Sequence, residues 1–160
     1  MIDENTLKKI ARVLSEKRFS IATAESCTGG LIAHTLTNVP GSSNYFNRGV
    51  VAYSNQSKIE LLDVPEETLS IYGAVSEETA KAMAIGVRLK SKVNIGLATT
   101  GIAGPTGGSK EKPVGLVYIS ISTIKDTISK KCLFKGDRLS IKEQTCNTAL
   151  NMLLEELKKM

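Results

Sequence analysis

The sequence contains no tryptophan, one histidine and few aromatic residues of any kind. Phe, Trp and Tyr together make up 4% of the 160 residues, so a hydrophobic core has to be built from Ile, Val, Leu and Ala. The three cysteines, Cys27, Cys132 and Cys146, are an odd number and form no CxxC pair. Because zinc sites gather several His and Cys ligands, this composition predicts no metal site. Widely spaced thiols also argue against a disulfide framework.

The sequence also lacks a long apolar run and a concentrated basic region. No run approaches the roughly 20 apolar residues of a membrane span, and the amino-terminal segment MIDENTLKKI is too polar for a signal peptide. The net charge of +5 comes from scattered lysines without stacking aromatic residues between them, unlike a nucleic-acid-binding face. We therefore expect a cytoplasmic protein whose partners include neither a membrane nor a nucleic acid.

The chain has the length of one domain, and we expect a single domain over residues 1–160. Its apolar spacing predicts helices that begin after Asp3 and Ser76, which are suitable N-caps. Ser140 and Glu143 offer a capping box at the start of the last helix. Two further short helices are predicted over residues 55–62 and 66–72.

Five apolar segments are predicted as strands: SIATAES (20–26), GVVAYS (49–54), VNIGLATTG (93–101), VGLVYISIST (114–123) and TISKKCLFK (127–135). Only residues 124–126 separate the last two, which predicts an antiparallel hairpin. Strands that alternate with helices and end in a hairpin are typical of a three-layer α/β/α sandwich. We expect a mixed, mostly parallel five-stranded sheet.

Three of these strands end in segments that carry reactive or glycine-rich sequence. In open α/β sheets, ligands bind beyond the carboxyl ends of the parallel strands. The segments are Ser26-Cys27-Thr28-Gly29-Gly30, Tyr53-Ser54-Asn55 and Thr100-Gly101-Ile102-Ala103-Gly104. Their convergence at one edge of the sheet predicts a functional site there.

Ser26 is the candidate nucleophile, and the backbone N–H groups of Thr28, Gly29 and Gly30 are candidate donors to a phosphate or an oxyanion. The alternative is that Ser26 or Thr28 is only a helix N-cap. A nucleophilic serine needs a base. His34 lies eight residues further on, roughly 12 Å along a helix, which is too far. Cys27 is a second, weaker candidate nucleophile.

Lys58 is the candidate base. If Ser54 caps the short helix, Lys58 lies near its first turn, where the helix dipole and burial both favour a neutral amine. Tyr53 could then relay or donate a proton. The alternative is an exposed surface lysine beside a core tyrosine.

The segment from Gly101 to Lys110 matches neither a P-loop nor a G-x-G-x-x-G motif. Its glycines, including Gly104, fit either close approach to a ligand or ordinary turns. Arg48 and Arg138 each have the fork geometry that binds phosphate, with a surface role as the alternative for both.

Together these segments resemble the carboxy-terminal domain of the competence/damage-inducible protein CinA and its stand-alone relatives, the nicotinamide mononucleotide deamidases. The matching stretches are TAESCTGG (23–30), PGSSNYFNRGVVAYSNQSK (40–58), GAVSEETA (73–80), TTGIAGPTGGSKEKPVGLVY (99–118) and FKGDR (134–138). The resemblance implies a fold like the anticodon-binding domains, a homodimer, and hydrolysis of the carboxamide of a pyridine mononucleotide without a metal or other cofactor.

By this resemblance, Ser26 is the nucleophile or the hydroxyl that orients a water, Lys58 its base and Tyr53 an assisting group. Thr100, Gly101 and the following loop contact the nucleotide, and Arg138 is a candidate for its phosphate. The rival interpretation is a non-catalytic, nucleotide-binding regulatory module linked to competence or the DNA-damage response. Only the enzyme needs Ser26 and Lys58 within reach of each other.

Overall fold

Helices and strands alternate along the chain, in a computed structural model that describes all 160 residues. The strands are β1 (Ile21–Glu25), β2 (Phe46–Val51), β3 (Ile95–Gly101), β4 (Leu116–Ser122) and β5 (Thr127–Leu133). The helices are α1 (Glu4–Lys17), α2 (Leu31–Thr37), α3 (Asn55–Leu62), α4 (Glu66–Tyr72), α5 (Glu77–Ser91) and α6 (Arg138–Lys159), with a 3-10 turn at Ser42–Asn44.

The five strands form one mixed sheet in the order β2-β1-β3-β4-β5. β1 runs parallel to both of its neighbours, and β3, β4 and β5 pair antiparallel. Glu25, the last residue of β1, pairs with Val51 on one side and Thr99 on the other. The carboxyl ends of β1, β2 and β3 therefore meet at one edge, as the sequence predicts.

Helices cover both faces of the sheet, which confirms the three-layer α/β/α sandwich. α1, α2 and α6 pack on one face around Ile10, Leu14 and Leu150, all fully buried. α5 packs on the other face around Met83 and Ala84, with α3 and α4 against it. Both cores consist mainly of aliphatic side chains, as the scarcity of aromatic residues requires.

The predicted limits of β2 and the predicted cap of α6 are wrong, for different reasons. β2 begins at Phe46 rather than Gly49 and ends at Val51. It is an edge strand in which Asn47, Arg48 and Gly49 are exposed, so no apolar alternation follows Phe46 to mark its start. The cap of α6 is Asp137, whose carboxylate accepts the Ser140 N–H at 2.8 Å, and not Ser140 itself.

The other predicted caps are confirmed. Asp3, Ser54 and Ser76 each accept a backbone N–H three residues further on. These bonds satisfy donors that a helix start leaves free. None of the six helices has the length and apolar character needed to pass through a lipid bilayer.

Candidate active site

The side chains of Ser26 and Lys58 meet at the carboxyl edge of the sheet. Ser26 directly follows β1, and its N–H donates to the Thr99 carbonyl at 3.0 Å, which continues the β1–β3 pairing by one residue. Lys58 lies in the first turn of α3, which Ser54 caps. Helical side chains point towards the helix start, and the Lys58 Nζ accordingly lies 3.1 Å from the Ser26 Oγ.

Lys58 is buried without an ionic partner. Its side chain is 1% exposed, and no carboxylate forms a salt bridge with it. The Nζ also donates to the Ala52 and Tyr53 carbonyls, both at 3.1 Å. Burial lowers the pKa of Lys58, and the nearby Cys27 thiol acts in the opposite direction.

These three contacts fit either charge state of the amine, because a charged lysine has three N–H donors, one for each oxygen. An uncharged lysine has two N–H donors, which the Ala52 and Tyr53 carbonyls accept, and one lone pair, which then faces the Ser26 hydroxyl. In the uncharged state, which burial favours, the arrangement suits removal of the proton from Ser26. The alternative of an exposed surface lysine is wrong.

The predicted anion donors in the turn after Ser26 are only partly free. The Gly29 N–H donates to the Ser26 carbonyl at 3.1 Å. The N–H groups of Cys27, Thr28 and Gly30 have no acceptor within the chain. Two of the predicted donors, Thr28 and Gly30, and the additional donor of Cys27 thus have no partner within the chain, whereas Gly29 is occupied.

Glu25 is a further buried residue of this site, which the sequence patterns do not single out. Its carboxylate is 1% exposed and accepts the Ile32 and Ala33 N–H groups at the start of α2, at 2.9 and 3.0 Å. It also accepts the Thr28 hydroxyl at 2.6 Å, and the Thr28 Oγ1 lies 2.8 Å from the Thr99 Oγ1. Through these hydrogen bonds, Glu25 fixes the segment between β1 and α2, in which Ser26 lies. A carboxylate that ends an otherwise apolar strand was the available signal.

Thr100 links this edge to the segment between α4 and α5. It is 1% exposed, and its hydroxyl donates to the Ala74 carbonyl at 2.7 Å. The hydroxyls of Ser76 and Thr79 both donate to the Gly73 carbonyl, at 2.9 and 2.7 Å. The segment Gly73–Ser76 is therefore held against the end of β3.

Arg138 bridges two of the predicted site segments. One guanidinium nitrogen donates to the Gly104 carbonyl at 2.7 Å and another to the Tyr53 hydroxyl at 2.9 Å. Tyr53 is 58% exposed, and its hydroxyl bonds to Arg138 rather than to Ser26 or Lys58. Its backbone carbonyl, not its phenol, contacts Lys58 directly.

Close packing within the chain accounts for Gly101 and Gly104. A Cβ on Gly101 would lie 2.6 Å from the Val117 Cγ2 on β4. Gly104 has a φ of +78°, and its Cβ would lie 2.5 Å from the Val114 Cγ1. Turn and packing requirements thus explain both glycines without a ligand, and their predicted contact with a nucleotide stays a prediction.

Two candidate residues lie apart from this group. Arg48 is exposed on β2, three residues before the strand ends and thus about 10 Å below its edge, and donates to the Asn47 side chain at 2.8 Å. His34 is exposed on α2 and lies 3.3 Å from the Asn38 amide. Neither hydrogen-bonds to Ser26 or Lys58.

Cys27 is a poor nucleophile in this environment. It is 5% exposed, and burial together with the charge of Glu25 raises the pKa of its thiol to about 12. Because the thiolate is the reactive form, this thiol is inert at neutral pH. No three His, Cys, Asp or Glu side chains lie close enough to hold a metal ion together.

Comparison with known proteins places the chain in a family. A sequence model of the CinA C-terminal domain matches residues 3–157. A putative competence-damage inducible protein of Caldicellulosiruptor bescii is 50% identical over 157 residues, which are 98% of this chain and 38% of that protein. A CinA-like protein of Endomicrobium trichonymphae is 52% identical, over 97% of this chain and 36% of its own length. The chain thus spans just over a third of these relatives.

Solved structures of related proteins superpose on nearly the whole chain. The competence/damage inducible protein CihA of Agrobacterium tumefaciens superposes with a TM-score of 0.91 at 40% identity, covering 99% of this chain and 98% of its own. A CinA superfamily protein of Klebsiella pneumoniae gives 0.93 at 31% identity, covering 98% of each chain. The chain therefore belongs to the CinA C-terminal domain family.

Proposed function

We propose that this protein is an amidohydrolase that converts nicotinamide mononucleotide to nicotinate mononucleotide and ammonia. The observation that carries the proposal is the buried Ser26–Lys58 pair, with 3.1 Å between the Oγ and the Nζ and no carboxylate paired with the lysine. A serine beside a neutral amine is suited to acyl transfer. The pyridine nucleotide substrate follows from the motif resemblance described above.

The first half of the reaction forms an acyl-serine. Lys58 takes the proton of Ser26 while the Oγ attacks the carboxamide carbon, and the carbonyl oxygen becomes an oxyanion. The free N–H groups of Cys27, Thr28 and Gly30 lie in the turn that follows the nucleophile. One oxyanion donor of this kind is worth about 10² to 10³ in rate. The C–N bond then breaks, and Lys58 returns its proton to the leaving nitrogen, so that ammonia departs.

The second half of the reaction releases the acid. Lys58, neutral again, takes a proton from a water that attacks the ester carbon. The C–O bond to Ser26 breaks as Lys58 returns that proton to the Oγ, and the acid product gives up its remaining proton to solvent and leaves as a carboxylate. The carbonyls of Ala52 and Tyr53 keep the amine in place in both steps. In the variant of this mechanism without an acyl-enzyme, Ser26 only orients the attacking water.

The proposal is tested by incubating the purified chain with nicotinamide mononucleotide. We expect ammonia and nicotinate mononucleotide in equal amounts. Lys58→Arg should be nearly inactive because arginine keeps the charge but does not deprotonate. Lys81→Arg is the matched control, because Lys81 pairs with Glu77 on α5 and should tolerate the change.

Two results would contradict the proposal. Binding of the nucleotide without any ammonia release would favour the regulatory module. Near-normal ammonia release by Lys58→Arg would mean that the residue only supplies charge, and the base would have to be sought elsewhere.

A further inference from the structure

A cavity of about 450 Å³ lies among α1, α2 and α6, in the helical layer on the opposite face of the sheet from α5. Small-molecule sites have volumes of roughly 300–1,000 Å³. None of the residues that line this cavity contacts the Ser26–Lys58 pair. The cavity is therefore large enough for a ligand and has no role in the chemistry described above.

The floor of the cavity is apolar. Leu7 on α1 and Cys146 on α6 are buried there, and Ile2 and Leu31 are partly buried against the same core. Burial raises the pKa of the Cys146 thiol to about 11, so this thiol is not a nucleophile at neutral pH. The floor thus favours the apolar body of a ligand, which gains by leaving water, and offers no covalent chemistry.

The rim on the α6 side carries hydrogen-bond acceptors that the chain does not use. The carboxylate of Glu143 is exposed and forms no salt bridge. The amide of Asn147 is half-buried, and no side chain or backbone group within the chain bonds to it. The two residues are four apart on α6, so their side chains are neighbours on one face of the helix. Together they suit a ligand that donates N–H groups.

The charges around the cavity favour a cationic ligand. The lining side chains include two carboxylates, Glu4 and Glu143, and neither a lysine nor an arginine, although the chain has 21 Lys and Arg against 16 Asp and Glu. Glu4 is paired with Lys8 at 2.7 Å, which leaves Glu143 without a cation. The amino group of Met1 is at the mouth, where Met1 is 97% exposed and solvent screens the charge. An anion would meet Glu143 without compensation, whereas a cation would pair with it.

We propose that this cavity is a binding site, separate from the active site, for a small organic cation that combines an apolar body with N–H donors. The body occupies the apolar floor, and the donors bind the Glu143 carboxylate and the Asn147 side-chain carbonyl. Leu31 begins α2, and the next two N–H groups of that helix hold Glu25. A ligand in the cavity therefore contacts the helix to which Glu25 fixes the segment that contains Ser26. The proposal does not depend on the reaction that Ser26 catalyses.

The test uses three probes that share a phenyl ring and differ in charge: benzamidine, benzamide and benzoate. Binding is followed by amide NMR, which shows both the affinity and the location. We expect benzamidine, at up to about 10 mM, to shift amide resonances of α1, α2 and α6 around the cavity. Benzoate should bind about tenfold more weakly or not at all, with benzamide between the two.

Two variants on α6 test the assigned contacts. Glu143→Gln should weaken benzamidine binding about threefold to tenfold and largely remove its advantage over benzamide. Asn147→Leu should weaken both of these probes. Glu67→Gln is the matched control, because Glu67 is an exposed carboxylate without an ion pair on α4.

Several results would overturn the site. They are an absence of shifts with benzamidine, shifts confined to the surroundings of Ser26 and Lys58, benzoate binding as tight as that of benzamidine, and unchanged benzamidine affinity in Glu143→Gln. The amide spectrum of each variant shows directly whether it is folded, and an exposed Glu143 should tolerate the change.

Discussion

Replacing Lys58 with methionine should change how the stability of the fold depends on pH. Methionine has a similar length and carries no charge. Burial lowers the pKa of Lys58 below its ordinary value of 10.5, so between the two values the unfolded chain binds a proton that the folded chain does not. The free energy of unfolding of the wild type therefore gains a contribution that rises with pH in that window, and the methionine variant lacks it.

The size of this pH dependence is set by the single proton that Lys58 binds in the unfolded chain but not in the folded chain. Within the window, the free energy of unfolding of the wild type should rise, relative to Lys58→Met, by up to about 1.36 kcal/mol per pH unit. The substitution also removes the hydrogen bonds to the Ala52 and Tyr53 carbonyls, which costs about 1–3 kcal/mol for each buried group left unpaired. That cost does not depend on pH. The change with pH in the difference between the two free energies of unfolding therefore reports the ionisation of Lys58 alone.

Urea unfolding at a series of pH values that extends up to the ordinary lysine pKa of 10.5 measures this difference. Cys27, whose pKa burial raises to about 12, is present in both proteins and largely cancels in the comparison. Lys130→Met, at an exposed position on β5, is the control, and its free energies should run parallel to those of the wild type. Parallel lines for Lys58→Met and the wild type would refute the claim that burial lowers the pKa of this lysine.

Three further predictions concern the surroundings of the pair. Glu25→Gln should lower kcat about tenfold and the free energy of unfolding by about 1–3 kcal/mol, because an amide NH₂ would face N–H or O–H donors whose hydrogen bonds the carboxylate accepts. Unchanged kinetics would show that the hydrogen bonds of Glu25 do not affect the position of Ser26. Arg138→Ala should reduce kcat/KM on the riboside as well as on the mononucleotide, since it removes the bridge between Tyr53 and Gly104. An effect confined to the mononucleotide would leave Arg138 a role in phosphate binding alone. Activity should survive prolonged EDTA treatment, and a loss restored by a divalent cation would refute metal independence.

Local signals were sufficient for most of the fold. The caps at Ser54 and Ser76 were predictable because a capping side chain acts on N–H groups only two or three residues away. β2 was placed incorrectly because its first residues lie on an exposed edge, where apolar alternation is not required. At the start of α6, Asp137 and Ser140 both have capping side chains, and the sequence does not decide between them.

The candidate site was predictable only in part. The Ser26–Lys58 pair follows from two strand ends that meet at one edge, together with a lysine in a first helical turn. Glu25 was missed because its role depends on hydrogen bonds from N–H groups seven and eight residues further on, at the start of α2, which an apolar strand pattern does not indicate. Occupancy of individual N–H groups, such as that of Gly29, depends on turn geometry that residue types do not specify.

The most direct test of the central claim is ammonia release from nicotinamide mononucleotide by Ser26→Ala, measured beside the wild type and Cys27→Ala. Removing the Ser26 hydroxyl takes away the attacking atom and leaves the Lys58 contacts to Ala52 and Tyr53 in place. We predict a loss of about 10³-fold or more for Ser26→Ala, with the folded state retained, and near-normal release by Cys27→Ala. Ammonia release by Ser26→Ala close to that of the wild type would contradict the assignment of Ser26 as the nucleophile.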